Sequence, residues 1–222
     1  MVRRLVSSLA AVVIVAACSG APAAPSASGP QVTAMPAGTY ASKSFRPTVT
    51  FTVPSGWDNP DDAPDYLRIR PVGSDVLGIH LFRDPVAASQ DKACPETAEP
   101  GVGGTSTQLA AWIRGLPGLI VSDPKMATVG GLRGVELDIG IKDGWTTSCP
   151  FANGAPTVPL FVGQKASYRW IVAGTERLRI YLLDVPSGGT VVVDVDDFDG
   201  SLIDQFLAEA APIVASLSFA AS

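Results

Sequence analysis

The chain has 222 residues, a formal net charge of −5 and 46% hydrophobic residues. This length and apolar content suffice for one buried core, and the acidic balance argues against a nucleic-acid-binding surface, which needs clustered basic residues. A single histidine and three cysteines, none in a CxxC pair, exclude a histidine-rich or cysteine-rich metal site, and we expect no cofactor.

The N-terminus has the features of an export signal. Arg3 and Arg4 precede an apolar run, Leu5 to Ala17, that is too short for a permanent transmembrane helix. The run ends in Val15-Ala16-Ala17-Cys18, which resembles the lipobox of bacterial lipoproteins. The alternative is an ordinary secretory signal followed by an incidental cysteine.

The lipobox resemblance implies a membrane anchor. Residues 1–17 would be removed, and Cys18 would carry a diacylglycerol thioether and often a further acyl chain. Two or more acyl chains give stable anchoring, whereas one binds membranes only marginally. The predicted location is therefore the extracytoplasmic face of a bacterial cell membrane, with the membrane itself as a partner.

Residues 18–44 are rich in Ala, Pro, Ser and Gly. This composition predicts a flexible tether between the lipid and the folded part of the protein. The sequence has no internal repeat and no second linker, so residues 45–222 are predicted to form a single domain.

Several segments are predicted to be β-strands. Thr48–Val53, Tyr66–Arg70, Val76–Phe82 and Thr190–Val195 combine β-prone residues with alternating polarity or turn signals. Two hairpins are also predicted. One joins Met126–Val129 to Leu132–Ile141 through Gly130-Gly131, and the other joins Tyr168–Ala173 to Arg177–Val185 through Gly174-Thr175.

Two segments have helical periodicity. Thr105 and Gln108 fit a capping box, and an apolar stripe of Leu109, Trp112, Ile113 and Leu116 follows. The second helix begins near Ser201 and contains Pro212, which should kink or break it. The predicted fold class is α+β, a single antiparallel β-sheet covered by two main amphipathic helices.

Two short motifs resemble a known fold. FTVPSGW at 51–57 opens the domain, and IVASLSF at 213–219 closes it after the terminal helix. They are similar to the ends of PsbP/Mog1-like αβα-sandwich domains, which recur in envelope lipoproteins of the LpqN type. The resemblance could cover Phe45 to Phe219. It implies a binding or assembly factor and carries over no catalytic residue.

Catalytic motifs are weak throughout the sequence. His80, the one histidine, is predicted to face away from Leu77, Ile79 and Leu81, either as a structural or surface side chain or as a functional base. Ser122 to Lys125 match S-x-x-K, but Pro124 blocks the helix which that motif opens, and its companion motifs are missing. We therefore predict no catalytic residue.

An acidic run, VVVDVDDFDG at 191–200, suggests two roles. Asp196, Asp197 and Asp199 could bind calcium weakly, although the EF-hand register fails at both of its anchoring ligands. The favoured interpretation is that these acids cap the last helix.

Five arginines fall on predicted strands: Arg68, Arg70, Arg169, Arg177 and Arg179. They could form cross-strand ion pairs with acids such as Glu136 and Asp138 on a solvated face. The sharper hypothesis is an anion-binding surface, where guanidinium groups meet carboxylate or phosphate.

In an oxidising compartment Cys94 and Cys149 should form a disulfide, because Cys18 is assigned to the lipid. Taken together, these patterns predict a membrane-anchored envelope lipoprotein that binds or assists a protein, lipid or glycan without catalysis. The alternative is a hydrolytic enzyme that uses paired carboxylates.

Overall fold

The computed structural model describes residues 34–164 and 167–220. The predicted signal segment, the lipidation site Cys18 and the predicted tether as far as residue 33 lie outside the described residues. None of the helices in the described residues is long and apolar enough to cross a membrane.

Strands dominate the fold, at 43% of the described residues against 12% in helices. The helices are α1 (Ser106–Arg114) and α2 (Ile203–Ser216). The main sheet contains eight strands, all paired antiparallel: β3 (Trp57–Asp62), β4 (Tyr66–Pro71), β5 (Leu77–Arg83), β7 (Leu119–Val121), β8 (Lys125–Val129), β9 (Leu132–Ile141), β12 (Arg177–Asp184) and β13 (Thr190–Asp197). Their order is β3-β4-β5-β13-β12-β9, after which β7 and β8 both pair with β9.

Two smaller antiparallel sheets accompany the main one. The first consists of β1 (Gly38–Ala41), β2 (Val49–Val53) and β14 (Ser218–Phe219). The second consists of β6 (Val86–Ala87), β10 (Thr157–Val162) and β11 (Arg169–Ala173). The expectation of a single sheet covered by two main helices was therefore wrong. Two helices are present, but the main sheet is covered by these helices together with two smaller sheets.

Each face of the main sheet is covered by one helix and one small sheet. On one face, side chains of α2 and β2 pack with Val191, Val193 and Val195 of β13. On the other face, α1 and β10 pack with Val192 of the same strand. Because β13 is covered on both sides, it carries the near-continuous apolar run of a fully buried strand.

The local signals at α1 and at the β8–β9 turn are confirmed. The Thr105 side chain accepts from the Gln108 backbone N–H, and the Gln108 side chain accepts from the Thr105 backbone, which completes the capping box. The β8–β9 hairpin turns at Gly130 and Gly131, whose φ angles are +59° and +85°. Helix α2 continues through Pro212 rather than breaking there.

The second predicted hairpin was wrong. β11 pairs with β10 in a small sheet, whereas β12 pairs with β9 and β13 in the main sheet. Gly174 has the positive φ of a tight turn, +58°, but the chain uses this turn to pass from one sheet to the other. A local turn signal does not specify which strands will pair.

The last part of the predicted tether is structured. Gly38–Ala41 pairs with β2, Thr39 and Thr52 share a hydrogen bond, and Tyr40 stacks on Phe51 with ring centroids 6.2 Å apart. The predicted boundary at residue 45 was therefore too late. Tertiary pairing orders a segment whose composition alone predicts flexibility.

Candidate functional site

A groove of about 730 Å³ lies beside the start of α2, over strands β7, β9 and β12. Ile120 of β7 and both Ile203 and Leu207 of α2 supply apolar walls. Ile120 is 66% exposed. A concave surface that combines apolar walls with a few polar groups is typical of a binding site.

The floor of this groove carries a cross-strand ion pair. Arg179 of β12 lies opposite Asp138 of β9, and its Nε and Nη2 donate to the two carboxylate oxygens at 2.7 and 3.1 Å. Glu136 lies 3.5 Å from the same Nε. The hydrogen bonds that Arg179 donates to Asp138 raise the pKa of Arg179 above its usual value. The Arg179 guanidinium is therefore paired with carboxylates of the neighbouring strand β9, as the ion-pair alternative predicts.

Arg177 lies two residues earlier on the same strand and lines the same groove. It is exposed and opposes Gly140, which offers no side chain. Within residues 34–164 and 167–220, no carboxylate approaches Arg177 to ion-pair distance. Of the five predicted arginines, Arg177 is the one in the groove whose charge remains open to a ligand.

The other three arginines lie elsewhere and do not join this pair. Arg70 contacts Asp58 at 3.1 Å and Asp75 at 2.7 Å. Arg169 contacts Glu96 at 2.5 Å, and its guanidinium lies 4.3 Å from the centre of the Phe151 ring.

Arg68 lies on β4, opposite Asp61 of β3. The structure thus brings together two of the five arginines, Arg177 and Arg179, and not a continuous arginine surface.

Glu176 lies at the boundary between the groove and the protein interior. It lines the groove but is only 2% exposed, and its side chain accepts a hydrogen bond from the Ala173 backbone N–H at 2.8 Å. Burial raises the pKa of Glu176 well above its usual value, and the charge of nearby Asp196 adds to the shift. A proton is therefore favoured on this carboxyl group.

Behind Glu176 lies a buried acidic layer between the main sheet and β11. Asp194 and Asp196 of β13 lie on the face that α1 and the β6-β10-β11 sheet cover, together with His80 of β5. His80 Nε2 is 3.0 Å from Asp196 Oδ1, and His80 Nδ1 is 2.8 Å from the Tyr66 hydroxyl. Both ring nitrogens of His80 thus have polar neighbours, the arrangement of a structural histidine.

Asp194 is the most isolated member of this layer. It is 0% exposed, and neither carboxylate oxygen accepts a hydrogen bond of normal geometry. Burial raises the pKa of Asp194 well above its usual value, Asp196 and Glu176 raise it further, and the Trp170 indole opposes them.

Of the three acids predicted as a weak calcium site, Asp197 stabilises the turn before α2, whereas Asp196 contacts His80. Asp196 and Asp197 are adjacent on a strand and so point to opposite faces. The Asp197 carboxylate accepts from the backbone N–H groups of Asp199 and Leu202 at 3.1 and 2.5 Å. No group of three or more His, Cys, Asp or Glu among the described residues could hold a metal ion.

A disulfide joins Cys94 to Cys149, with 5.7 Å between their Cα atoms. These are the two cysteines that the sequence predicts to pair. The bond ties the loop after β6 to the loop before β10, and β6 and β10 belong to the same small sheet. It therefore reinforces the cover over the acidic layer.

Sequence reasoning missed Asp194 and Glu176. A signal for Asp194 was present, because the run VVVDV places a carboxylate within a strand that is apolar on both faces. A strand of this kind is covered on both sides, so its acid must be buried. Glu176 follows a turn and carried no comparable signal.

No protein-family model matches the sequence, and no curated protein matches it. A crystal structure from Bacteroides thetaiotaomicron is 10% identical with a TM-score of 0.33; the match covers 78% of this chain and 45% of that one. The chain thus spans less than half the length of that protein.

Two further solved structures have comparable scores. LpqN, involved in cell envelope biogenesis of Mycobacterium tuberculosis, is 17% identical with a TM-score of 0.41, over 84% of this chain and 88% of that one. Cyanobacterial PsbP from Synechocystis is 10% identical with a TM-score of 0.39, over 89% and 100%. All three TM-scores are below 0.5, so these likenesses assign neither a family nor a function to the chain.

Proposed function

We propose that this protein is an exported, lipid-anchored binding module at the extracytoplasmic face of a bacterial membrane. The lipobox-like Val15 to Cys18 supports the anchor. The Cys94–Cys149 disulfide supports export, because disulfides persist in oxidising compartments. The partner is an envelope protein, a lipid or a glycan.

The groove beside α2 is the proposed ligand surface, and the observation that carries this proposal is the unpaired Arg177 on its floor. The apolar walls suit an apolar group held between Ile120 and Leu207. The Arg177 guanidinium suits an acceptor group, such as a carboxylate, a phosphate or a sugar hydroxyl. A partner that presents both groups together would fill the groove.

Hydrolysis by paired carboxylates is the less favoured alternative. Glu176 and Asp194 both have a raised pKa, as a general acid needs. However, Asp194 is fully buried and does not line the groove that Glu176 lines. Two carboxyl groups that do not share one accessible surface cannot act on the same bond.

The ligand surface can be tested by photocrosslinking in native membranes. A photoreactive residue at position 120 should crosslink to a partner, and Arg177→Ala should lower the yield at least fivefold. The control is the same probe at Val72, which is partly exposed in the turn after β4 and lies outside the groove. Equal yields at both positions, or yields unchanged by Arg177→Ala, would refute the proposed surface.

The anchor is tested separately. Cys18→Ser should abolish incorporation of a radioactive fatty acid and release the protein from the membrane fraction, because the N-terminal segment offers no other thiol. Cys94→Ser is the matched control and should leave labelling intact. Equal incorporation in the Cys18→Ser variant would contradict the lipoprotein proposal.

A further inference from the structure

Asp194 occupies the centre of the main sheet. Its strand pairs on one side with β5, where His80 lies opposite, and on the other with β12, where Ile180 lies opposite. It has no exposed surface, and both of its carboxylate oxygens lack a hydrogen bond. Buried polar atoms without a partner are rare in folded proteins, and each needs a physical explanation.

Acidic groups surround Asp194 more closely than basic ones. Asp196 lies two residues along on the same face of β13, and Glu176 precedes β12. Asp197, on the opposite face, adds its charge to that of Asp196 in raising the pKa of Glu176. An ionised Asp194 would therefore face further carboxyl groups without water to separate them.

The other elements packed against Asp194 supply little positive charge or hydrogen bonding to stabilise its ionised form. β5 contributes His80, whose Nε2 is directed to Asp196, and β4 contributes Tyr66, whose hydroxyl is directed to His80. Arg68, also on β4, lies opposite Asp61 and His80. From β11, the Trp170 ring covers His80 with centroids 4.5 Å apart.

The covering strand β11 pairs with β10 through its backbone and packs on the main sheet through aromatic rings. β11 is an edge strand, because it pairs with β10 alone. Trp170 also lies 4.9 Å from the Phe82 ring, and Tyr168 lies 5.1 Å from it. The Trp170 and Tyr168 side chains thus close the acidic layer. Their own buried polar atoms, Nε1 and the hydroxyl, make no hydrogen bond of normal geometry, although the Trp170 indole does act on Asp194.

We propose that this layer is a pH-sensitive latch, in which β11 stays closed over β13 while Asp194 is protonated and loosens when Asp194 ionises. An ionised Asp194 needs more hydrogen-bond donors than the Trp170 indole supplies, and water can provide them only if the cover over the layer opens. Loosening at β11 exposes the layer to solvent without unfolding the opposite face. The proposed latch is formed by buried residues, so it does not depend on which ligand binds in the groove.

The first test is a titration of the full chain carrying Cys18→Ser. Carboxyl-carbon NMR should show Asp194 titrating well above the ordinary range for aspartate, about 4. An Asp194 signal that titrates within the ordinary aspartate range would overturn the proposal, and this measurement needs no variant to fold.

The second test separates a latch from general unfolding. Amide protection factors in β11 should fall at least tenfold as the pH rises through the folded pKa of Asp194 found in the first test, whereas those in β2 stay constant. In Asp194→Asn, β11 should remain protected on both sides of that pKa, and Asp123→Asn, at an exposed position, should behave like the parent chain. Parallel loss of protection in β11 and β2, or no loss in either, would overturn the latch.

Discussion

The two faces of β13 are equally buried but chemically different. One face presents Val191, Val193 and Val195 to α2 and β2, and each of these side chains is at most 1% exposed. The other presents Asp194 and Asp196, at 0% and 6% exposed, to the β11 cover. Burial on both sides of a strand therefore does not require apolar residues on both sides. The packing of the three valines stabilises the fold at any pH, whereas the stability of the acidic face depends on protonation.

The largest effect is expected on the apolar face. Phe206 of α2 is 1% exposed and stacks on Trp57 with ring centroids 6.0 Å apart. Phe206→Ala should lower the free energy of unfolding by about 4 kcal/mol, through lost apolar burial and a residual cavity. Urea unfolding measures this loss.

The control is Phe198→Ala, because Phe198 is half exposed and its truncation should change stability by less than about 0.5 kcal/mol. Similar losses in the two variants would contradict the assignment of the α2 face as the apolar core.

Removing the disulfide should have the next largest effect, on the cover of the acidic face. The bond closes a separation of 55 residues. Loss of the disulfide should lower the free energy of unfolding by about 3 kcal/mol, mainly because the unfolded chain gains conformational entropy. Cys94→Ser and Cys149→Ser should lose equal stability in thermal unfolding, and the double variant should lose no more. A double variant much less stable than either single one would show that the two cysteines act separately.

A smaller effect is expected at Gly78, within the acidic layer. A Cβ atom at Gly78 would lie 2.3 Å from His80 Nε2 and 3.2 Å from Asp196 Oδ1. The absent side chain therefore makes room for the His80–Asp196 contact. Gly78→Ala should displace the His80 imidazole and lower the free energy of unfolding by about 2 kcal/mol.

Gly104→Ala is the matched control, since no atom lies within 4 Å of its Cβ position. Chemical shifts of the imidazole should change in Gly78→Ala alone. An unchanged imidazole signal in Gly78→Ala would contradict the close packing of His80 over Gly78.

Asp62 provides the opposite electrostatic case to Asp194. Burial alone would raise its pKa, but backbone N–H groups of Lys43, Ser44 and Phe45, at 2.6 to 3.0 Å, lower it. Asp62→Asn should lower the free energy of unfolding by about 1 kcal/mol at neutral pH. Because the folded pKa is the lower one, this contribution should disappear as the pH falls through it, below about 4.

Urea unfolding at several pH values tests this sign, with Asp61→Asn as the neighbouring control. A loss in Asp62→Asn that grows under acidic conditions would show that the hydrogen bonds do not act on the charged form.

Local sequence signals predicted the parts of the fold that local physics decides. The capping box at Thr105 and the Gly130-Gly131 turn need only neighbouring residues, and both were confirmed. Strand pairing depends on distant segments, so the turn at Gly174 was misassigned to a hairpin. β10 was missed because Pro159 interrupts its β-prone pattern.

The candidate site was less predictable for a related reason. Arg177 was recognised as a strand arginine, but its freedom from ion pairs depends on Gly140 facing it across β9. The groove itself depends on where α2 begins over the sheet. Neither property is encoded within a short window of sequence, whereas the buried Asp194 was readable from the strand run around it.

The most direct test of the difference between the two faces is the number of protons that the full chain releases on unfolding. The folded pKa of Asp194 is raised above its unfolded value, so its contribution to stability is full below the unfolded pKa and is lost as the pH rises through the folded one. Between the unfolded and the folded pKa of Asp194, the slope of unfolding free energy against pH should show about one more proton released by the parent chain than by Asp194→Asn. Equal proton release by the two chains would contradict a protonated Asp194 in the folded protein.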